Sequence, residues 1–214
     1  TVSAFLGGRS DEAIMRTVFG LERPESGSLA IKGCDATGAD PTQAVARGVG
    51  YVPRERKVEG VVGGMSVSEN MTLSQLGNYS RASVLDKGAE RRLAKDWIAR
   101  LEIKTPSTRA TVGKLSGGNQ QKVVLSKWRS AGADIILLDH PTRGVDIGAK
   151  EHIYAMVRDM CEEGCGVLLM GDTFEEAIGL AHTIAVLKDG RVTKVFDCPP
   201  GAKPEPLDLI QHMT

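Results

Sequence analysis

Apolar residues fall in short clusters whose spacing shifts along the chain from two-residue alternation to helical periodicity and back. The first run, Val2 to Leu6, is followed by Gly7-Gly8-Arg9-Ser10 and then by the amphipathic stretch Ala13 to Phe19, closed by Gly20. Strand, glycine turn, helix and glycine stop is the opening of a βα unit. Ser28 to Lys32 alternates polar and apolar and predicts a short strand ending at Gly33, and Gly48 to Val52 predicts another, stopped by Pro53. From about Ser66 to Ala131 the pattern turns helical. Ser66 is placed as an N-cap with Glu69 completing a capping box, and Ala89 to Leu101 carries apolar residues at positions 93, 97, 98 and 101.

After this middle third, all-apolar runs return. Ile135 to Leu138 and Gly166 to Met170 predict buried strands, each followed by a helix, Ala149 to Glu163 and Thr173 to Ala181. Ile184 to Leu187 and Arg191 to Phe196 flank Lys188-Asp189-Gly190-Arg191, a hairpin signal. A proline-rich loop from Pro199 to Pro206 precedes a short terminal helix. Alternating strands and helices with all-apolar strands predict an α/β parallel sheet covered on both faces, with a helical insert. The chain opens at Thr1 directly in an apolar run, as a segment starting inside a strand would.

Composition narrows the function classes. The 214 residues suit one full-sized domain, and 41% apolar with 25% charged residues is ordinary globular composition. Lys+Arg and Asp+Glu balance at 27 each, so no field of one sign points to nucleic acid. No apolar run approaches the ~18 residues of a spanning helix. The cysteines at 34, 161, 165 and 198 show no disulfide or zinc spacing and are expected to be free thiols, with Cys161 and Cys165 four apart on the predicted helix. His152, His182 and His212 are expected at the surface, Trp97 and Trp128 in packing, and Arg91, Arg92 and Lys95 on a solvated helix face.

Chemistry concentrates in two segments. In Leu115-Ser116-Gly117-Gly118-Asn119-Gln120-Gln121-Lys122, a serine and two glycines open an apolar-periodic helix. Unpaired first-turn N–H groups and the helix dipole favour an anion there, glycines let phosphate approach, and Ser116 offers a hydroxyl. Taken alone, the segment fits a plain serine N-cap with a flexible turn equally well. Downstream, Asp139 follows the strand Ile135 to Leu138, then come His140-Pro141-Thr142-Arg143-Gly144-Val145-Asp146. A carboxylate at the C-terminal end of a buried parallel strand suits a Mg²⁺-phosphate ligand, and equally a cap before Pro141.

These segments carry a resemblance. LSGGNQQK, IILLDHPTRGVD and TIAVLKDGRV resemble the signature, the Walker B and D-loop segments and the closing strands of ATP-binding-cassette proteins. PTRGVDIGAK and GYVPRERKVEGVVGGMSVSENMTL are similar to the second cassette of ribose, galactoside and xylose importer ATPases, which carry two cassettes in one chain. The resemblance implies a RecA-like P-loop NTPase with a three-layer α/β core, residues 1–65 and 132–214, and an inserted helical subdomain, residues 66–131. It implies ATP and Mg²⁺ as cofactors. It also implies a partner cassette, membrane permease subunits, indirectly a sugar-binding protein, and a place on the cytoplasmic face of the membrane.

Against that pattern the chain departs at several places. A P-loop ends in Gly-Lys-Ser/Thr, with the lysine on the β/γ-phosphates and the hydroxyl on Mg²⁺. The preferred register puts Gly8, Arg9 and Ser10 there; a register two residues later would put Asp11 and Glu12 opposite the phosphates. His140 stands where the resemblance places the general-base glutamate, Asp172 where it places the switch histidine, and Arg54 where it places the Q-loop glutamine. The adenine-stacking aromatic falls upstream of Thr1. Nucleotide contacts are expected from Gly8, Arg9, Ser10, Arg54, Ser116, Gly117, Gly118, Gln120 and the D-loop Asp146, with Ser10 and Asp139 on Mg²⁺. A sound signature beside a degenerate P-loop implies that this cassette completes the active site on its partner. The rival expectations are a binding or regulatory module that has lost ATP, and a soluble cassette acting in repair or translation. The charge-dense segment Pro53 to Glu59 is expected to face the membrane subunit, or else to be a solvated loop.

Overall fold

A computed structural model describes residues 1–7, 11–81 and 83–213. In chain order its elements are β1 (Val2–Leu6), α1 (Asp11–Phe19), β2 (Ala30–Ile31), β3 (Cys34–Asp35), α2 (Pro41–Ala46), β4 (Val49–Val52), α3 (Val67–Thr72), β5 (Ser80–Arg81), β6 (Val84–Leu85), α4 (Lys87–Arg100), α5 (Gly117–Ser130), β7 (Ile135–Asp139), α6 (Ile147–Glu162), β8 (Gly166–Met170), α7 (Phe174–Leu180), β9 (Thr183–Lys188), β10 (Arg191–Asp197) and α8 (Pro206–Ile210). Arg56–Gly60 forms one π-type turn.

Six strands make the main sheet in the order β10-β9-β1-β8-β7-β4. β4, β7, β8, β1 and β9 run parallel, and β10 closes one end antiparallel to β9. Side chains alternate faces along a strand, so the four consecutive buried residues of β4 require cover on both faces. That cover comes from α1, α2 and α5, while α6 packs on β8 and α7 on β1. The hairpin β9–β10 turns at Asp189 and Gly190, both with positive φ (50° and 74°), as an Asp-Gly two-residue turn requires.

The stretch 66–131 is mostly helical: α3 packs on both α4 and α5. Its entry is the expected capping box, with Ser66 Oγ accepting from Glu69 N–H and Glu69 Oε2 accepting from Ser66 N–H. These bonds, with Lys87 beside them, hold the Glu69 carboxyl down to about 2. Trp128 is buried and its Nε1–H donates to the Tyr51 carbonyl at 2.5 Å. Phe19, Tyr51 and Trp128 form an aromatic contact between α1, β4 and α5.

Three expectations need correction. Cys165 is not on the helix with Cys161, because α6 ends at Glu162 and the chain turns through Gly164 (φ 90°) before Cys165. Arg91 is half-buried, although Arg92 and Lys95 are exposed. His212 is half-buried against the Phe196 ring, whereas His152 and His182 are exposed. All four cysteines are free thiols.

Candidate functional site

Parallel strands bring their C-terminal ends to one edge of the sheet, where ligands of open α/β sheets bind. Here that edge carries the chain leaving β4 at Pro53, β7 at Asp139, β8 at Gly171 and β1 at Gly7. Asp139 lies level with Met170, and Met170 level with Phe5, so the register sets these exits side by side. Gly8, Arg9 and Ser10, and the alternative pair Asp11 and Glu12 as side chains, lie outside the described residues.

Asp139 is 1% exposed, and its Oδ2 accepts the Tyr51 hydroxyl at 2.9 Å. Burial, then the adjacent Asp139 charge, pushes the Tyr51 phenol far up, so it remains a donor. His140 follows in the left-handed region (φ 47°), and its N–H donates to the Met170 carbonyl at 3.0 Å, pinning it to β8. From there its Nδ1 reaches Asp172 Oδ1 at 2.9 Å, while Nε2 stands 3.9 Å from Asp139 Oδ1. Thr142 Oγ1 bonds both Asp172 Oδ2 (3.3 Å) and Glu176 Oε1 (3.1 Å), and Asp172 N–H donates to Glu176 Oε2. Glu176 is 3% exposed, and burial raises its carboxyl above the usual range. Residues placed at the base and switch positions are therefore joined in one polar cluster.

The second centre is the start of α5. Ser116 is exposed and takes the extended N-cap conformation, yet its side chain makes no capping bond. Its Oγ instead accepts from Asn119 Nδ2 at 2.8 Å, and Asn119 Oδ1 accepts from Lys104 N–H. The plain serine cap is thus not what forms. Gly118 needs to be glycine because a Cβ would stand 2.9 Å from Ala149 Cβ, at the start of α6. Asp146 caps α6 by accepting from Ala149 N–H at 2.9 Å. Ser116, Gly118, Asn119, Asp146 and His152 line one cleft of about 330 Å³.

Two of the expected ligand positions also make contacts within the chain. Gln120 is 3% exposed, and its Nε2 donates inward to the carbonyls of Val112 and Leu115, so it braces the preceding loop. Gly117 faces the chain's own Arg56 Nη2, which occupies the place a Cβ would take. The expected solvated stretch is also divided: Glu55, Lys57 and Glu59 are exposed, whereas Arg56 is 7% exposed. Arg54, half-buried, lines a separate cleft of about 230 Å³ with Lys57 and Arg143.

The family model described as ABC transporter matches residues 13–143. The chain belongs to that family. It is 39% identical over 191 residues to a ribose import ATP-binding protein of Rubrobacter xylanophilus, covering 89% of this chain and 38% of that protein. It is 42% identical over 185 residues to a ribose import ATP-binding protein of Chelativorans sp., covering 86% and 36%. An arabinose import ATP-binding protein of Rhizobium meliloti is 38% identical over 191 residues, with 89% and 37% covered. The chain thus spans less than two-fifths of the length of the curated relatives it matches. Among solved structures, a dimeric ATP-binding cassette in a post-hydrolysis state bound to ADP and Pi superposes with TM-score 0.77 at 22% identity, covering 92% of this chain and 85% of that one. A nucleotide-free cassette from an ABC transporter superposes equally, at 16% identity with 92% and 81% covered. The P-loop NTPase fold expected from the sequence is the one observed.

Chemistry sets what the metal position can do. Among the described residues no cluster of three or more His, Cys, Asp or Glu side chains can hold an ion. A single buried carboxylate at a strand end suits Mg²⁺ that arrives on nucleotide phosphates. Ser10, the other expected ligand, lies outside the described residues. No helix among the described residues is long and apolar enough to cross a membrane.

Tyr51, Asn119, Thr142 and Glu176 were not among the expected site residues, and Arg56 was expected only as part of a charged surface. Arg56 lay in a stretch already marked for its charge, and Asn119 inside the signature, but nothing local distinguished their orientation.

Proposed function

We propose that this chain is one nucleotide-binding cassette of an ATP-driven sugar importer, with residues 1–65 and 132–214 as its core and 66–131 as its helical subdomain. The start of α5 carries the reading. An exposed serine at the N-cap position leaves the helix's first N–H groups uncapped, and it shares a cleft with Asp146. Such a terminus favours a phosphate by partial charge and by donor geometry. We assign it to the nucleotide held on the P-loop of a partner cassette, with Ser116 Oγ and the N–H groups of the first turn as donors. Bound Mg²⁺ would neutralise phosphate charge, with Asp139 as the carboxylate turned toward it. At this cassette's own base position, the His140 ring is already bonded to Asp172. Its own site is therefore expected to hold nucleotide weakly or without hydrolysis, and the isolated chain to be nearly inactive. Membrane permease subunits, a sugar-binding protein that feeds them, and a place at the inner face of the membrane complete the reading.

One observation favours a second reading, a regulatory module that has lost ATP: the His140–Asp172 pair is satisfied internally and needs no ligand. Ser116→Glu in the full-length protein separates the two. A carboxylate at the uncapped terminus is expected to cut steady-state ATP turnover about a hundredfold. It should leave nucleotide binding by the 214-residue chain alone unchanged in a titration, and weaken the binding seen with the partner cassette added. Unaltered turnover would remove the shared-site reading, and absence of any nucleotide binding with the partner present would favour the module.

A further inference from the structure

Arg56 is the one side chain of the charged turn that is buried. Its Nη1 donates to the Arg143 carbonyl at 2.7 Å and its Nη2 to the Gly144 carbonyl at 3.0 Å. These successive carbonyls belong to the turn between β7 and α6, where Gly144 has φ 64°. The same Nη2 fills the space beside the Gly117 α-carbon, and the Gly144 oxygen lies 3.1 Å from where a Cβ at 117 would stand. The guanidinium thus sits where three segments meet: the 56–60 turn, the 143–146 turn and the start of α5. Burial draws its proton affinity below the usual value, so the charge is held there at a cost that the two carbonyls offset.

The far end of the 56–60 turn is fastened to the same helix. Lys127 Nζ donates to the Gly60 carbonyl at 2.9 Å, and a Cβ on Gly60 would stand 3.1 Å from Val124 Cγ2. The turn is therefore laid along α5, and only its Arg56 end also grips the chain leading to Asp146. The planar fork spans two carbonyls at once, which a lysine ammonium cannot do in the same geometry.

The geometry points to Arg56 as a positioning residue: its guanidinium locks the 143–146 turn onto the start of α5 and so sets the spacing between Ser116 and Asp146 across their cleft. Its bearing on turnover rests on the reading that this cleft receives a nucleotide; the lock itself does not.

The test is hydrogen exchange on the 214-residue chain carrying Arg56→Lys, Arg56→Ala, Gly117→Ala, or Arg56→Ala with Gly117→Ala. Each arginine variant is expected to speed exchange about tenfold in residues 113–121 and 141–150 while leaving 87–100 and 166–170 unchanged. Gly117→Ala should do the same in the parent chain, yet add almost nothing once Arg56 is alanine, because the guanidinium is gone and the unlocked turn lets the Gly144 oxygen yield the few tenths of an ångström its Cβ needs. A uniform rise along the chain, an unchanged profile, or equal effects of Gly117→Ala in both backgrounds would each overturn the lock. In the full-length ATPase, Arg56→Lys is expected to lower kcat about tenfold with KM for ATP nearly unchanged. Opened exchange with intact turnover would uphold the lock and remove the nucleotide reading of the cleft.

Discussion

His140 Nδ1 and Asp172 Oδ1 lie 2.9 Å apart, so the two residues proposed for the base and switch positions are bonded to each other across the ends of β7 and β8. The resemblance places a glutamate at 140 and a histidine at 172. Under that resemblance the carboxylate and the imidazole stand exchanged, as an acid–imidazole pair.

The exchange predicts a coupled response. His140→Glu would set a third carboxylate beside Asp139 and Asp172, and is expected to cost about 1–2 kcal/mol. Asp172→His alone should cost about 1 kcal/mol through the lost bonds to His140 and Thr142. The double substitution restores an opposite pair and should recover at least half of the summed loss. Urea unfolding at constant m-value checks this, and strictly additive costs would show that the two side chains do not act together.

Two glycines should respond in opposite directions to the same substitution. A Cβ on Gly50 would stand 2.7 Å from Trp128 Cβ and 3.0 Å from Ile136 Cδ1, in a region with no room to yield. Gly50→Ala is expected to cost about 3 kcal/mol. Gly179 is exposed on α7 with nothing within 4 Å of its Cβ position, so Gly179→Ala should gain about 0.5–1 kcal/mol. Thermal unfolding of the two variants decides whether the packing between β4 and α5 is as tight as the contacts indicate.

Lys127 gives the chain an alkaline dependence. Burial pulls its ammonium down to about 8 from an ordinary 10.5. Between those values the unfolded chain still holds the proton that the folded chain has lost, so stability rises with pH through that window. Below pH 8 the cost of burying the charge is present in full, on the order of 3 kcal/mol. Lys127→Met removes the titrating group. The unfolding free energy of the parent chain is expected to rise relative to that variant between pH 7.5 and 10.5, and parallel curves would refute it.

The sheet was legible because its strands are short, apolar and bounded by glycine or proline, as with Gly166 to Met170 and with Gly48 to Val52 before Pro53. The capping box at Ser66 was legible because both of its residues lie within one turn. A second such box, Asp40 with Gln43 ahead of Pro41–Ala46, went unread although it carries the same local signal. The site was legible only in part. That Ser116 opens a helix follows from the neighbouring glycines, but that Arg56 is buried depends on two carbonyls 87 and 88 positions away. Gln120 was placed among the ligand contacts with its neighbours in the segment, while its inward turn depends on the path of the loop from Val112 to Leu115. Pattern within a few residues identifies elements and end groups; which side chain turns inward is decided by segments that meet only after the sheet has formed.

The two ends of the sheet differ in what they offer to another molecule. β4 is sealed by helices, whereas β10 is exposed along nearly its whole length, Val192 and Val195 included. An open strand invites a second chain to extend the sheet and polymerise. Here the invitation is blunted. The register shifts between Val192 and Lys194, and Thr193 at the break bonds the His212 carbonyl of the closing tail. Arg191 and Lys194 add positive charge on the same strand. Such an irregularity at Thr193 opposes edge-to-edge pairing with another strand.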